Sequence, residues 1–216
     1  MSPLGTRKPT ILVSSTVYGI EELLDRIYTV LTAFGYEVWM SHRGTLPVRS
    51  DRSAFENCLA AVDECDLFLG LITPAYGSGR DGSDISITHQ ELRRAIELHK
   101  PRWLLAHQHV VFARLLLGDL GRKTSEKRRK LKLRKGSKSI SDLRVIDMYE
   151  EAILNTRPLP ARHGNWVQTF GSDEEALLFA SAQFSRVQEV ERFLDENFRD
   201  PASVMAGTQT PPGGPL

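Results

Sequence analysis

The chain has 216 residues, 41% hydrophobic and 25% charged, with a formal charge of +1; this suits one α/β domain with an embellishment and singles out no class of charged partner. No run of about 18 apolar residues occurs, which excludes the usual signature of a membrane-spanning helix, and the start of the chain lacks the apolar core of a signal peptide. The two cysteines, Cys58 and Cys65, are too few for a disulfide framework and too widely spaced for a paired metal site, so both read as buried thiols of a cytoplasmic protein, with no metal ligand set.

Residues 10–13 (Thr-Ile-Leu-Val) are a short apolar run that enters Ser14-Ser15-Thr16, a buried first strand meeting a hydroxyl-rich turn. Ile20, Leu23, Leu24, Ile27, Val30, Leu31 and Phe34 recur at helical spacing, and Gly35 stops that helix. Residues 36–40 are strand two and 41–51 a polar loop with Gly44 and Pro47; a second helix carries Phe55, Cys58, Leu59 and Val62 on one face. Residues 66–72 are nearly all apolar, as in a central parallel strand covered on both faces. A glycine-rich loop, 76–82, leads into an amphipathic helix opening at Ser86-Ile87-Thr88-His89-Gln90-Glu91 and running to about His99, where Lys100-Pro101 breaks it before strand four, 103–106. This alternation predicts a parallel sheet with right-handed crossovers.

Residues 110–117 read as another helix, and 122–138 carry ten Lys and Arg residues with little between them. A helix over 140–154 and a fifth strand over 165–170 follow. Ser172-Asp173-Glu174-Glu175 is a capping signal for one long final helix reaching Phe198. The expected organisation is one domain over 8–198, with a basic helical insertion at 120–160 and a disordered Pro- and Gly-rich tail over 199–216.

Glu91 stands near the carboxyl edge of the predicted strands, where open α/β sheets bind ligands; the alternative is a carboxylate that simply complements a helix start. Ser14-Ser15-Thr16 is either a helix cap or a turn that holds sugar and phosphate oxygens. It matches neither the Walker loop nor the dinucleotide fingerprint. Tyr76-Gly77 lets backbone approach a ligand with a ring to stack on it, or is a loop with a packed tyrosine. Arg43, with Arg49, Asp51 and Arg52 around it, meets phosphates or pairs at the surface. His89 reads as surface decoration, and Arg93 and Arg94 as solvated. The run 122–138 lacks aromatics and any reading motif, so a solvated face is favoured over a nucleic-acid site.

Taken together, Ile11-Leu12-Val13-Ser14-Ser15-Thr16, Cys58 with Val62, Cys65-Asp66-Leu67-Phe68, Tyr76-Gly77, and Ser86-Ile87-Thr88-x-x-Glu91 with Ala95 and Lys100-Pro101 resemble the domain-of-unknown-function 4062 family. That family is similar to TIR domains and to nucleoside 2-deoxyribosyltransferases. The resemblance implies a flavodoxin-like, TIR-like parallel sheet of about five strands with helices on both faces. In TIR domains that cleave NAD, a glutamate opens the third helix ahead of a small residue, a break and the next strand; Glu91, Ala95 and Lys100 match that layout. By resemblance Glu91 is the catalytic carboxylate, Ser14, Ser15 and Thr16 border the sugar or phosphate, and Tyr76 and Gly77 lie on the base side. Tyr18, standing where the family usually carries an aspartate, Arg43 and Ser86 complete the expected substrate-binding set.

The implied chemistry is N-glycosidic cleavage. Nicotinamide leaves NAD from a cationic ring, so no general acid is needed, and a carboxylate on the sugar face stabilises or captures the oxocarbenium-like centre. NAD is then the substrate, with no separate cofactor. The implied setting is a signalling or antiviral-defence effector that forms a homo-oligomer or is switched by a partner protein. A non-enzymatic nucleotide-sensing or homotypic assembly module, and a nucleoside deoxyribosyltransferase, are the alternatives.

Overall fold

The computed structural model describes residues 7–77, 84–137 and 139–197. Five strands, β1 (Thr10–Ser15), β2 (Glu37–Trp39), β3 (Leu67–Ile72), β4 (Arg102–His107) and β5 (Val167–Phe170), form one sheet in the order β2-β1-β3-β4-β5. Every pairing is parallel. The fold is therefore the α/β, flavodoxin-like class read from the sequence. The chain winds outward from β1 to β2, then crosses back to β3 on the other side of β1, so the strand order reverses between β1 and β3.

The sheet is buried on both faces because its strands are apolar at odd and even positions alike. Ile11 and Val13, Leu67, Leu69 and Leu71, and Leu105 face one core, closed by α1 (Glu21–Ala33), α7 (Asp173–Phe184) and α8 (Val187–Asn197). Leu12, Phe68, Ile72, Leu104 and Ala106 face the other, closed by α2 (Ala54–Glu64), α3 (Ile87–Glu97), α4 (Gln108–Asp119) and α6 (Arg144–Ala152). Each large side chain buried here contributes roughly 1.5–3 kcal/mol. The helix ends follow the local chemistry. Ser53 and Glu56 form a reciprocal capping box on α2, and Ser172 Oγ accepts from the Glu175 amide on α7. Gly35 takes φ +101° just past α1, a conformation glycine adopts without strain.

Three expectations need correction. The long final helix is two helices, α7 and α8, separated at Ser185–Arg186. One helix over this span would be about 40 Å long, twice the length of the strands beneath it. The break lets Val190 and Leu194 bury in the same core as Phe184. Within 120–160 the basic run is mostly irregular: only the short α5 (Ser125–Arg129) forms, and α6 occupies less of 140–154 than the periodicity suggested. Cys65 is buried, but Cys58 is half-buried. The tail, 199–216, lies outside the described residues. Among the described residues no helix is long and apolar enough to cross a membrane.

Candidate functional site

The strand order reverses between β1 and β3, and the carboxyl edge of the sheet at such a reversal is the place where open α/β sheets take ligands. Period-two alternation turns Ser14 to the face covered by α2 and α3, beside Leu12, while Ser15 turns away. Ser86 caps α3, its Oγ accepting from the His89 amide at 3.4 Å. That fixes the helix start and sets Glu91 in the second turn, over the end of β1. Ser14 Oγ donates to Glu91 Oε2 at 2.5 Å. The half-buried Cys58 thiol, from α2, is the carboxyl's other neighbour.

Glu91 is only 8% exposed, and among the described residues no Lys, Arg or His pairs with it. Burial penalises its charged form more than the Ser14 and Cys58 hydrogen bonds favour it, so its pKa is pushed up from the usual 4.5 to about 7. The Cys58 thiol is in turn pushed up to about 11, by burial first and by the neighbouring carboxylate second. A carboxyl poised near neutrality at this edge, with no counter-ion among the described residues, marks a candidate functional site.

The loop after β3 passes close to the turn after β1. Gly77 has φ +86°, and a Cβ placed there would come within 3.2 Å of Thr16 Oγ1 and 3.6 Å of Ser86 Cβ. Thr16, Gly77 and Ser86 therefore converge on the same edge as Ser14 and Glu91. The remaining sequence-predicted residues are spent differently. Ser15 Oγ donates to the Leu71 and Thr16 carbonyls. Tyr18 is 83% exposed ahead of α1. Arg43 pairs with Asp25 at 3.0 Å and lies over the Tyr28 ring. Residues 78–83 of the glycine-rich loop lie outside the described residues.

Tyr76 does not turn toward Glu91. Its ring is buried and its hydroxyl meets His89 Nδ1 at 2.8 Å. The Ser86 amide donates to the same hydroxyl at 3.4 Å, and the other ring nitrogen of His89 is Nε2. That nitrogen lies 3.1 Å from Glu151 Oε2. Arg93 clamps Glu151 through both Nε and Nη2, at 2.7 and 2.5 Å. Burial alone would raise the Glu151 pKa, but Arg93 and His89 override it and hold it at about 2.

His89 is thus 2% exposed, not surface decoration. Arg93 and Arg94 are only partly solvated, Arg94 pairing with Asp63 at 2.7 Å. The basic run also holds a buried charge: Arg128 meets Asp147 at 2.5 Å and Glu150 at 2.6 Å. No local sequence signal marks these pairings, because Glu151, Asp147 and Glu150 arrive on α6 from far along the chain.

Among the described residues no group of His, Cys, Asp and Glu side chains could hold a metal ion. No curated protein matches the chain. Residues 10–151, which include both Ser14 and Glu91, match the family model described as Domain of unknown function (DUF4062). The chain belongs to the DUF4062 family.

Proposed function

We propose that this protein is an N-glycosidase acting on NAD or a related nucleotide, with Glu91 as the catalytic carboxylate. The observation that carries this reading is a buried carboxyl with no counter-ion among the described residues, hydrogen-bonded to Ser14, at the strand-order reversal of a parallel sheet.

A buried carboxyl without a cation is mismatched alone and matched when a cationic substrate arrives. The nicotinamide ribosyl group supplies positive charge beside the sugar, which favours the ionised form of Glu91. The bond between the anomeric carbon and the ring nitrogen then breaks, its electron pair leaving with neutral nicotinamide. Glu91 faces the oxocarbenium-like carbon and stabilises it, or bonds to it until water replaces the carboxylate. Water gains the carbon and releases one proton. Ser14 orients the carboxylate through Oε2. Thr16, Gly77 and Ser86 line the approach, and the hydroxyl and backbone groups there suit ribose and phosphate oxygens.

In this reading the protein works as a signalling or antiviral-defence effector of the cytoplasm. Assembly with copies of itself or with a partner protein restrains an otherwise toxic loss of NAD. The small exposure of Glu91 favours one competing reading, a nucleotide-sensing module that binds without turnover. Purified protein incubated with NAD, and separately with deoxynucleosides, distinguishes these by chromatography. Free nicotinamide supports the proposal, exchanged bases indicate a deoxyribosyltransferase, and bound but unchanged nucleotide indicates a sensor.

A further inference from the structure

A second hollow, of about 600 Å3, lies between α3, α5 and α6. Its wall includes Tyr76, His89, Arg93, Arg129, Arg144 and Arg157. Glu91 does not line it. His89 and Glu91 are two residues apart on α3, a spacing that turns side chains to different sides of a helix; His89 meets Tyr76 and α6, Glu91 meets β1 and α2.

The lining carries four arginines and four carboxylates, and two of the arginines take no part in the ion pairs among the described residues. Its four carboxylates are already engaged: Glu97 with Arg94, Asp147 and Glu150 with Arg128, and Glu151 with Arg93. Arg144 is engaged by Asp142 and Asp84. Arg129 and Arg157 are exposed and make no hydrogen bond or ion pair through their guanidinium groups among the described residues. Each offers five N–H donors in a planar fork suited to phosphate. At the buried end, His89 Nε2 lies 3.1 Å from Glu151 Oε2 without hydrogen-bond alignment. Ile96 and Leu154 supply an apolar wall, and the volume falls in the range of small-molecule sites.

We propose that this hollow binds a phosphorylated small molecule of mononucleotide size. Arg129 and Arg157 hold its phosphate, and the Ile96 and Leu154 wall takes its less polar body. The proposal does not depend on the chemistry assigned to Glu91.

ADP and inorganic pyrophosphate, titrated calorimetrically into the full chain, test it. The parent is expected to bind ADP, with pyrophosphate competing. The double variant Arg129→Glu, Arg157→Glu is expected to weaken ADP binding at least tenfold, and Arg157→Ala alone to weaken it several-fold. Both arginines are exposed, so the melting temperature reports separately that the variants fold. Parent protein that binds neither probe, or folded arginine variants that bind like the parent, each overturns the proposal.

Discussion

Ser14 and Glu91 meet at 2.5 Å across the junction of β1 and α3, joining residues 77 positions apart in sequence. The bond ties a hydroxyl at the carboxyl end of β1 to a carboxyl that has no cationic partner among the described residues.

Glu91 destabilises the folded protein at neutral and alkaline pH. Its folded pKa is about 7 against the usual 4.5, so between these values the native state holds a proton that the unfolded chain has released. Stability from this group is complete below pH 4.5 and is lost as pH rises through 7. Glu91→Gln is neutral throughout and is expected to be more stable than the parent at pH 8.5, by up to about 3 kcal/mol at about 1.36 kcal/mol per pKa unit. The difference should shrink toward zero at pH 4.5. Urea unfolding at the two pH values reads it.

Ser14→Ala removes the donor that favours the ionised carboxylate. The Glu91 pKa is then expected to rise further, and the rising limb of any nucleotide-cleavage pH profile should move upward with it. The cost in stability is about 1 kcal/mol at low pH, where the protonated carboxyl loses a neutral partner. Ser14→Thr, which keeps the hydroxyl, should restore much of the profile.

Glu151 has the opposite sign. Arg93 and His89 hold its pKa at about 2 against burial, so its contribution is present above the usual 4.5 and is lost as pH falls through 2. Glu151→Gln is expected to destabilise by about 1–2 kcal/mol at pH 7, a figure discounted because the pair is partly open to water. The loss should fade between pH 4.5 and pH 2. Thermal unfolding across that range checks it.

Arg128 is the buried hub of the region after α4. Arg128→Met leaves Asp147 and Glu150 without their shared cation, and a broken buried pair of this kind costs about 3–5 kcal/mol. Arg129→Met, one position on and exposed, is expected to change stability by less than about 0.5 kcal/mol. Comparing the two melting temperatures separates the buried arginine from its exposed neighbour.

Much of the architecture is legible from local pattern. The uninterrupted Leu-Phe-Leu-Gly-Leu-Ile of β3 can only belong to a strand covered on both faces, and the helical spacing from Leu23 to Leu31 fixes α1 to within a residue or two. Ser86 as a cap and Glu91 one turn later are also readable. What cannot be read is enclosure. Glu91 is near neutrality because α2 and β1 close around it, and His89 is buried because Tyr76 and Glu151 come to it from other elements. Arg128 sits in a run of like charges that reads as solvated, and is buried by partners 19 and 22 residues further on. The final helix breaks for a tertiary reason, the burial of Val190 and Leu194, to which helix propensity is blind.

The most direct test is the rate of nicotinamide release from NAD by the parent and by Glu91→Gln, measured by chromatography on samples matched for folded content. A parent rate at least a hundredfold above that of the folded variant is the expected result. Equal rates would contradict the role given to the buried carboxylate.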